Sequence, residues 1–205
     1  MVFHRVLDHV FSTWSHVAVM RALRDTAHPL TGREVARVAG MNHRSCLKAL
    51  TALEGLYLIT RQRGGRDHLF ALNRNHVLVK EAVLPLLEQE RRFLGGLIAF
   101  LRPKLVNVTE SVILFGSVVR KEETVRSDLD VCLVVHSNQE KKRAQEIVHA
   151  IASECKHRYG ARLAPLFFTP GEFRRNNKLK KSPVPEIVHE GEVVMGSPIV
   201  RLLRA

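Results

Sequence analysis

Two short apolar runs in the second half of the chain constrain its fold more than any other feature. Residues 111–115, Ser-Val-Ile-Leu-Phe, and 129–135, Leu-Asp-Val-Cys-Leu-Val-Val, read as two strands, and each carries chemically capable residues at one end. The polar segment between them opens with Gly116-Ser117 and closes with Asp128-Leu129-Asp130. Side chains alternate across a strand, so Asp128 and Asp130 fall on one face, close together. Two like charges in that position are costly unless a cation lies between them. Hard oxygen ligands of this kind suit Mg²⁺ or Mn²⁺, which binds a pair of carboxylates together with substrate phosphates. A glycine at a strand end lets the backbone approach a phosphate, and the Ser117 hydroxyl and following amides donate to its oxygens, more so where Val118 onward starts a short helix. A metal ion beside a phosphate cradle implies phosphoryl chemistry. The plainer reading of the same residues is a capped strand end and an ordinary turn.

Gly-Ser, ten residues, then Asp-x-Asp between two apolar strands resembles the signature of the DNA polymerase β-type nucleotidyltransferase superfamily, whose smallest members are similar to residues 86–196. The resemblance implies that Gly116 and Ser117 bind a nucleoside triphosphate. It also implies that Asp128 and Asp130 are the catalytic, metal-holding pair for in-line nucleotidyl transfer, with Arg120 and Lys121 assisting at the phosphates. One departure matters. Active members carry a third carboxylate on the strand after the next helix, where it completes the metal cage and serves as base for the attacking hydroxyl. Here a helix from about Asn138 to Tyr159 closes at Gly160, and the strand that follows, Arg162-Leu-Ala-Pro-Leu-Phe-Phe-Thr169, contains no acid. Pro165 predicts an edge position for that strand. Glu172 lies beyond it, after Pro170-Gly171, and reaches the site only through an unusual loop. Two carboxylates and a triphosphate still suffice for one ion, so the departure bears on catalysis more than on nucleotide binding.

The first half reads as a separate module. Ser12 or Thr13 caps a helix carrying Val17, Met20 and Leu23. Thr31-Gly-Arg-Glu34 is a capping box that starts a second helix with Val35, Ala36 and Val38, and Gly40 makes the turn. Asn42 caps a third helix through about Glu54, with Cys46, Leu47, Leu50 and Leu53 on one side and Arg44, Ser45 and Lys48 on the other. Residues 56–63 and 67–72 then read as two strands joined through Gly64-Gly65.

Within roughly residues 7–73, the stretch LTGREVARVAGMNHRSCLKALTALEGLYLITRQRGGRDHLFAL resembles prokaryotic winged helix-turn-helix regulators. That resemblance implies a third helix in the major groove of double-stranded DNA, with Arg44, Ser45 and Lys48 at base edges and phosphates. It also implies a wing that takes Arg61, Arg63 and Arg66 to the backbone or minor groove. The same fold elsewhere docks proteins, with such arginines as a solvated face. His43, at the start of the third helix, reads as a plain surface histidine.

From His76 to Leu101 the pattern is helical, with Pro85 either starting a helix or kinking one. Leu86, Leu87, Phe93, Leu94, Leu97, Ile98 and Leu101 form a broad apolar stripe, read as core of the second module or, alternatively, as a homodimer seam. At the C-terminal end, Arg174, Arg175, Lys178, Lys180 and Lys181 form a basic run, either a solvated face or an extension of a nucleic-acid surface. Residues 184–191 and 192–195 read as a last helix and strand.

Charge supports a polyanionic partner. Lys and Arg number 32 against 20 Asp and Glu, a net +12, divided as +7 over residues 1–110 and +5 over 111–205. With 45% hydrophobic and 25% charged residues, the composition excludes disordered, collagenous and rod-like chains. Apolar stretches fall well short of the ~18 residues that cross a bilayer, and the N-terminus has no signal-peptide core. Cys46, Cys132 and Cys155 read as reduced core thiols. These features predict a soluble cytoplasmic protein without membrane contacts.

The expectation is therefore an α+β protein: a winged helix-turn-helix domain (1–75), a linker helix region packing on the second domain (76–104), and a small mixed-sheet nucleotidyltransferase-like domain (105–205). Its expected function is DNA binding joined to binding of a nucleoside triphosphate with Mg²⁺ or Mn²⁺ and transfer of a nucleoside monophosphate to a hydroxyl of a toxin-like protein or an RNA. The alternative is a winged-helix transcriptional regulator whose nucleotidyltransferase domain is inactive and senses nucleotide or dimerises.

Overall fold

In the computed structural model, which describes residues 3–204, the chain divides between Arg92 and Phe93 into two compact units. The first opens with α1 (Val6–Val10) and α2 (Trp14–Arg24), followed by β1 (Leu30–Thr31), α3 (Gly32–Val38), α4 (His43–Gly55), β2 (Ile59–Gly64) and β3 (Asp67–Leu72). Caps fix three of its helix starts. The Thr13 hydroxyl accepts from the His16 amide, Thr31 and Glu34 close the reciprocal capping box, and Asn42 Oδ1 accepts from the Ser45 amide at 2.8 Å. Val19, Met20, Leu23, Val35, Leu50 and Leu53 bury together with Ile59 and Phe70 from the sheet. Three helices and a hairpin on one core make a winged helix-turn-helix.

Three details depart from the expectations above. Leu30 and Thr31 form a third strand, paired antiparallel with β3 at Phe70 and Leu69, a run too short to show periodicity. Leu47 is 39% exposed, whereas Cys46, Ala49, Leu50 and Leu53 are buried; at 100° per residue it lies past the edge of the arc centred on those four. Gly64 pairs with Asp67 inside the ladder, so the hairpin loop is Gly65-Arg66, with Gly65 at φ +65°, rather than Gly64-Gly65.

A π-helical turn, Val79–Val83, runs directly into α5, Leu84–Leu105. Pro85, the second residue of α5, has no N–H for the carbonyl four residues back, and the preceding turn relaxes to wider bonding. The predicted apolar stripe on this helix divides. Leu87 belongs to the first core and Leu97 and Leu101 to the second, while Leu86, Phe93 and Leu94 stay exposed.

The second unit continues with β4 (Thr109–Phe115), α6 (Ser117–Arg120), β5 (Leu129–Val135), α7 (Asn138–Tyr159), β6 (Leu163–Phe168), α8 (Pro170–Lys178), α9 (Val184–Glu190), β7 (Glu192–Gly196) and α10 (Ile199–Arg204). The sheet order is β6-β5-β4-β7, parallel between β5 and β6 and antiparallel elsewhere. Pro165 thus sits on an edge strand, where its missing donor costs no ladder bond on the open side. One sheet face packs Val112, Leu114, Val131 and Leu133 under α5 and α7. The other packs Ile113, Phe115, Cys132 and Val134 under α8, α9 and α10, through Phe173, Ile187 and Leu202. Both faces are covered, which is why the two strands read as near-continuous apolar runs rather than alternating ones. All three cysteines are free and buried, and burial pushes the Cys132 thiol up to about 12. Among the described residues no helix is long and apolar enough to cross a membrane.

Leu50 is fully buried in the first core, so Leu50→Ala is expected to remove about 2–5 kcal/mol of stability. Urea unfolding of the full chain measures it.

Candidate functional site

The register of β4 and β5 builds the site at one end of the second sheet. Phe115 pairs with Asp130, which sets Gly116 beside the Asp130 side chain. Gly116 has φ +73° and ψ −150°, a region open in practice to glycine alone. A Cβ there would stand 2.2 Å from Asp130 Oδ2. The backbone angles require glycine, and any side chain there would also have to turn the Asp130 carboxylate out of its present place. From Gly116 the chain enters α6, whose first residue is the half-buried Ser117 and whose last is Arg120. Lys121 follows in the left-handed region at φ +58°.

Asp130 lies on the sheet face that packs under α8, α9 and α10, alternating with Val131 and Leu133 on the other. Burial pushes its carboxyl above the usual carboxylate range, and the negative charge of Asp128 adds to the shift while Arg120 opposes it. Asp128 is half exposed, and its Oδ1 forms an ion pair with Arg162 Nε at 2.8 Å. Nothing local in the sequence marks Arg162 for this role: it precedes β6, and only the parallel pairing of β6 with β5 brings it to Asp128.

The third carboxylate expected of an active member has no counterpart on β6. The residue beside Asp130 is Ala164. Glu172 lies past the opposite end of β6, capping α8 through the Thr169 amide and paired with Lys141 at 3.0 Å. Those two partners hold its carboxyl below the usual range. A different acid, Glu190 at the end of α9, reaches the Gly116 end of the sheet. Its Oε1 accepts from the Gly116 amide at 3.3 Å and from Arg120 Nη1 at 2.6 Å. No local pattern marks Glu190, because its role depends on groups seventy or more residues away in sequence.

The donor set fits one divalent ion. A half-buried Asp130 held beside like-charged Asp128, with its carboxyl pushed up, is relieved by a cation between them. It does not fit a three-carboxylate cage, since no group of three or more His, Cys, Asp or Glu among the described residues is placed to hold a metal. Beside Asp128 opens a cavity of about 380 Å³, walled by Phe93, Leu97, Val118 and Tyr159 and edged by Lys121, Ser127 and Arg162.

In the first unit, Arg44 and Lys48 flank a shallow depression floored by Leu47, Thr51 and Ala52. Ser45 commits its amide to the Asn42 cap. Arg61 and Arg63 alternate onto one face of β2, and Arg66 sits in the hairpin loop. Arg61 is tied to Glu54 at 3.0 Å; among the described residues, exposed Arg63 and Arg66 have no such partner.

No curated protein matches the chain. Among solved structures, a mutant of ZitR from Lactococcus lactis is similar at 13% identity and a TM-score of 0.33, over 69% of this chain and 74% of that one. The archaeal chromatin protein TrmBL2 is similar at 18% identity and a TM-score of 0.29, over 90% and 73%. Residues 97–183 match the family described as the nucleotidyltransferase domain, a stretch that holds Gly116, Ser117, Asp128 and Asp130 and ends before Glu190.

Proposed function

We propose that this protein is a DNA-binding regulator whose nucleotidyltransferase domain takes a nucleoside triphosphate with one Mg²⁺ or Mn²⁺ and transfers the nucleoside monophosphate to a hydroxyl of a protein or RNA acceptor, a toxin-like partner among them, the α–β phosphoanhydride bond breaking to release pyrophosphate and the hydroxyl proton passing to solvent. The observation that carries the reading is the fit of Gly116 against Asp130, where a Cβ would stand 2.2 Å from the carboxylate. A turn kept clear to that tolerance brings a phosphate-approaching backbone and a metal-binding carboxylate to one point.

In this reading Asp128 and Asp130 hold the ion, which when bound neutralises charge developing on the phosphates and the leaving group. The Gly116 amide, the Ser117 hydroxyl and Arg120 position the triphosphate, and Lys121 adds a cation at the mouth. The cavity beside Asp128 offers apolar and aromatic walls, in the size range of small-molecule pockets, for the nucleobase. Arg162 must release Asp128 Oδ1 when that oxygen turns to the ion. A second reading, nucleotide response without transfer, is favoured by Ala164 beside Asp130, because no base on β6 faces an acceptor hydroxyl. In the first unit, Arg44, Ser45 and Lys48 of α4 meet duplex DNA, and Arg63 and Arg66 of the wing contact phosphates, with Arg61 joining once freed from Glu54. The positive charge on both units suits polyanions throughout.

Calorimetric titration of ATP, CTP, GTP and UTP with Mg²⁺, with radiolabel transfer followed in the same samples, tests the nucleotide reading. At least one triphosphate is expected to bind in a metal-dependent way that Asp128→Asn/Asp130→Asn abolishes. Label on protein or RNA selects transfer, binding without label selects the second reading, and no binding ends both.

For duplex DNA, Arg63→Ala/Arg66→Ala is expected to lower retention in gel-shift assays. Each arginine–phosphate pairing that the double variant removes is expected to flatten the log–log salt dependence by about 0.9. Retention unchanged by the double variant makes the winged helix a protein-docking module.

A pH effect follows from Asp130. A carboxyl whose folded pKa is raised binds its proton more tightly in the folded state, so its ionised form subtracts stability above the ordinary carboxylate pKa. That deficit fades as pH falls through the raised value. In metal-free protein Asp130→Asn is therefore expected to melt above wild type at pH 7, with the gap closing toward acid pH; a variant that melts lower at pH 7 contradicts this.

A further inference from the structure

One oxygen of Glu190 holds both a backbone amide and a guanidinium. Oε1 takes the Gly116 N–H at 3.3 Å and Arg120 Nη1 at 2.6 Å. This is the donor pair, one peptide N–H and one arginine, that a phosphate oxygen seeks. The arrangement is built by the fold. Gly191, directly after Glu190, lies so close to β4 that a Cβ would stand 2.8 Å from Ile113 Cγ2 and 2.3 Å from the Ile187 carbonyl oxygen. The end of α9 is thereby pressed onto the sheet, and the Glu190 side chain, 24% exposed, is delivered to Gly116. Arg120 meanwhile shares its charge among three acids: it donates Nε to Glu122 at 3.0 Å, Nη1 to Glu190, and draws the Asp130 carboxyl downward. A ligand that takes Arg120 Nη1 together with the Gly116 amide therefore meets the Glu190 carboxylate already seated on both.

Resting on the nucleotide reading above, we propose that Glu190 is the specificity-determining residue of this anion cradle. In the free protein its carboxylate stands where a phosphate oxygen of the nucleotide binds, and the arriving phosphate displaces it. The exchange is one acceptor for another on the same two donors, with no covalent step. The gain from donating to a phosphate is offset by giving up the two hydrogen bonds to Glu190, and an anion of low charge recovers too little. The cradle therefore favours a triphosphate, above all one that brings a divalent ion to Asp128 and Asp130, over monophosphates and inorganic phosphate. The family match over residues 97–183 does not include Glu190.

Calorimetry on the full chain tests this with inorganic tripolyphosphate, ATP and AMP, each with and without Mg²⁺, against wild type, Glu190→Gln, Glu190→Ala and Arg120→Ala. Removing the competing carboxylate is expected to tighten tripolyphosphate and ATP binding by about tenfold, the equivalent of one charge-assisted hydrogen bond. AMP, weak or silent on wild type, is expected to bind the two Glu190 variants measurably, and Arg120→Ala is expected to lose affinity for tripolyphosphate and ATP. The Gly116 amide proton of wild-type protein gives a readout free of mutation, moving in the ¹H–¹⁵N spectrum as tripolyphosphate saturates. The proposal is overturned if Glu190→Gln and Glu190→Ala bind tripolyphosphate and ATP within about twofold of wild type or more weakly, or if the Gly116 amide stays in place at saturation. Failure of every protein, wild type included, to bind any of these ligands brings down the nucleotide reading and this proposal together, an outcome distinct from binding that ignores Glu190.

Discussion

The second unit depends on the absence of a side chain at Gly116. Between β4 and β5 the backbone passes so near the Asp130 carboxylate that a single methyl group would occupy its space, and the backbone angles there are closed to other residues. Everything at that end of the sheet follows from this approach. Asp130 is partly shielded from water and disfavours its charged form, the Gly116 amide is left as a donor outside the sheet ladder, and α6 starts at once and carries Arg120 back over the same spot. A carboxylate held uncomfortably charged beside an amide already answered by the Glu190 carboxylate gains most from a cation, and an anion arriving with it takes over that amide, the two together being the form in which a metal nucleotide comes.

Local charge balance decides what such a site does when empty. Arg162 answers Asp128, and Arg120 answers Glu190 and Glu122, whereas Asp130 has no ion-pair partner among the described residues. Binding is then an exchange of partners rather than the filling of a bare pocket. The exposed pairs, Arg120 with Glu122 and Arg162 with Asp128, are individually weak, about 0–1 kcal/mol, so they yield readily, whereas Glu190 is the more buried partner. On the hairpin of the first unit the pattern differs: Arg61 is tethered to Glu54, whereas Arg63 and Arg66 have no ion-pair partner among the described residues.

Much is legible along the chain because the signals are local. The capping box at Thr31-Glu34, the Asn42 cap, the Gly160 stop after α7 and the two apolar strands each rest on residues a few positions apart, and all stand in the structure. Leu47 departs from its expected burial because four residues define the buried arc of α4 and a fifth apolar one lies just beyond it. The strand at Leu30–Thr31 escapes a sequence reading because two residues show no period.

By itself the sequence determined the α+β class, the winged helix-turn-helix, the sheet that presents Gly116, Asp128 and Asp130, and the lack of an acid on the strand after α7. These are properties of short windows, where propensity, capping and side-chain alternation operate. Only the tertiary structure decided which charges meet. Arg162 comes to Asp128 through the parallel pairing of β5 and β6, Glu172 is carried to the far end of the sheet, and Glu190 is brought to Gly116 because Gly191 lets α9 press onto β4. Each of these pairings joins residues more than thirty positions apart, and no local preference of the chain encodes a distance of that kind.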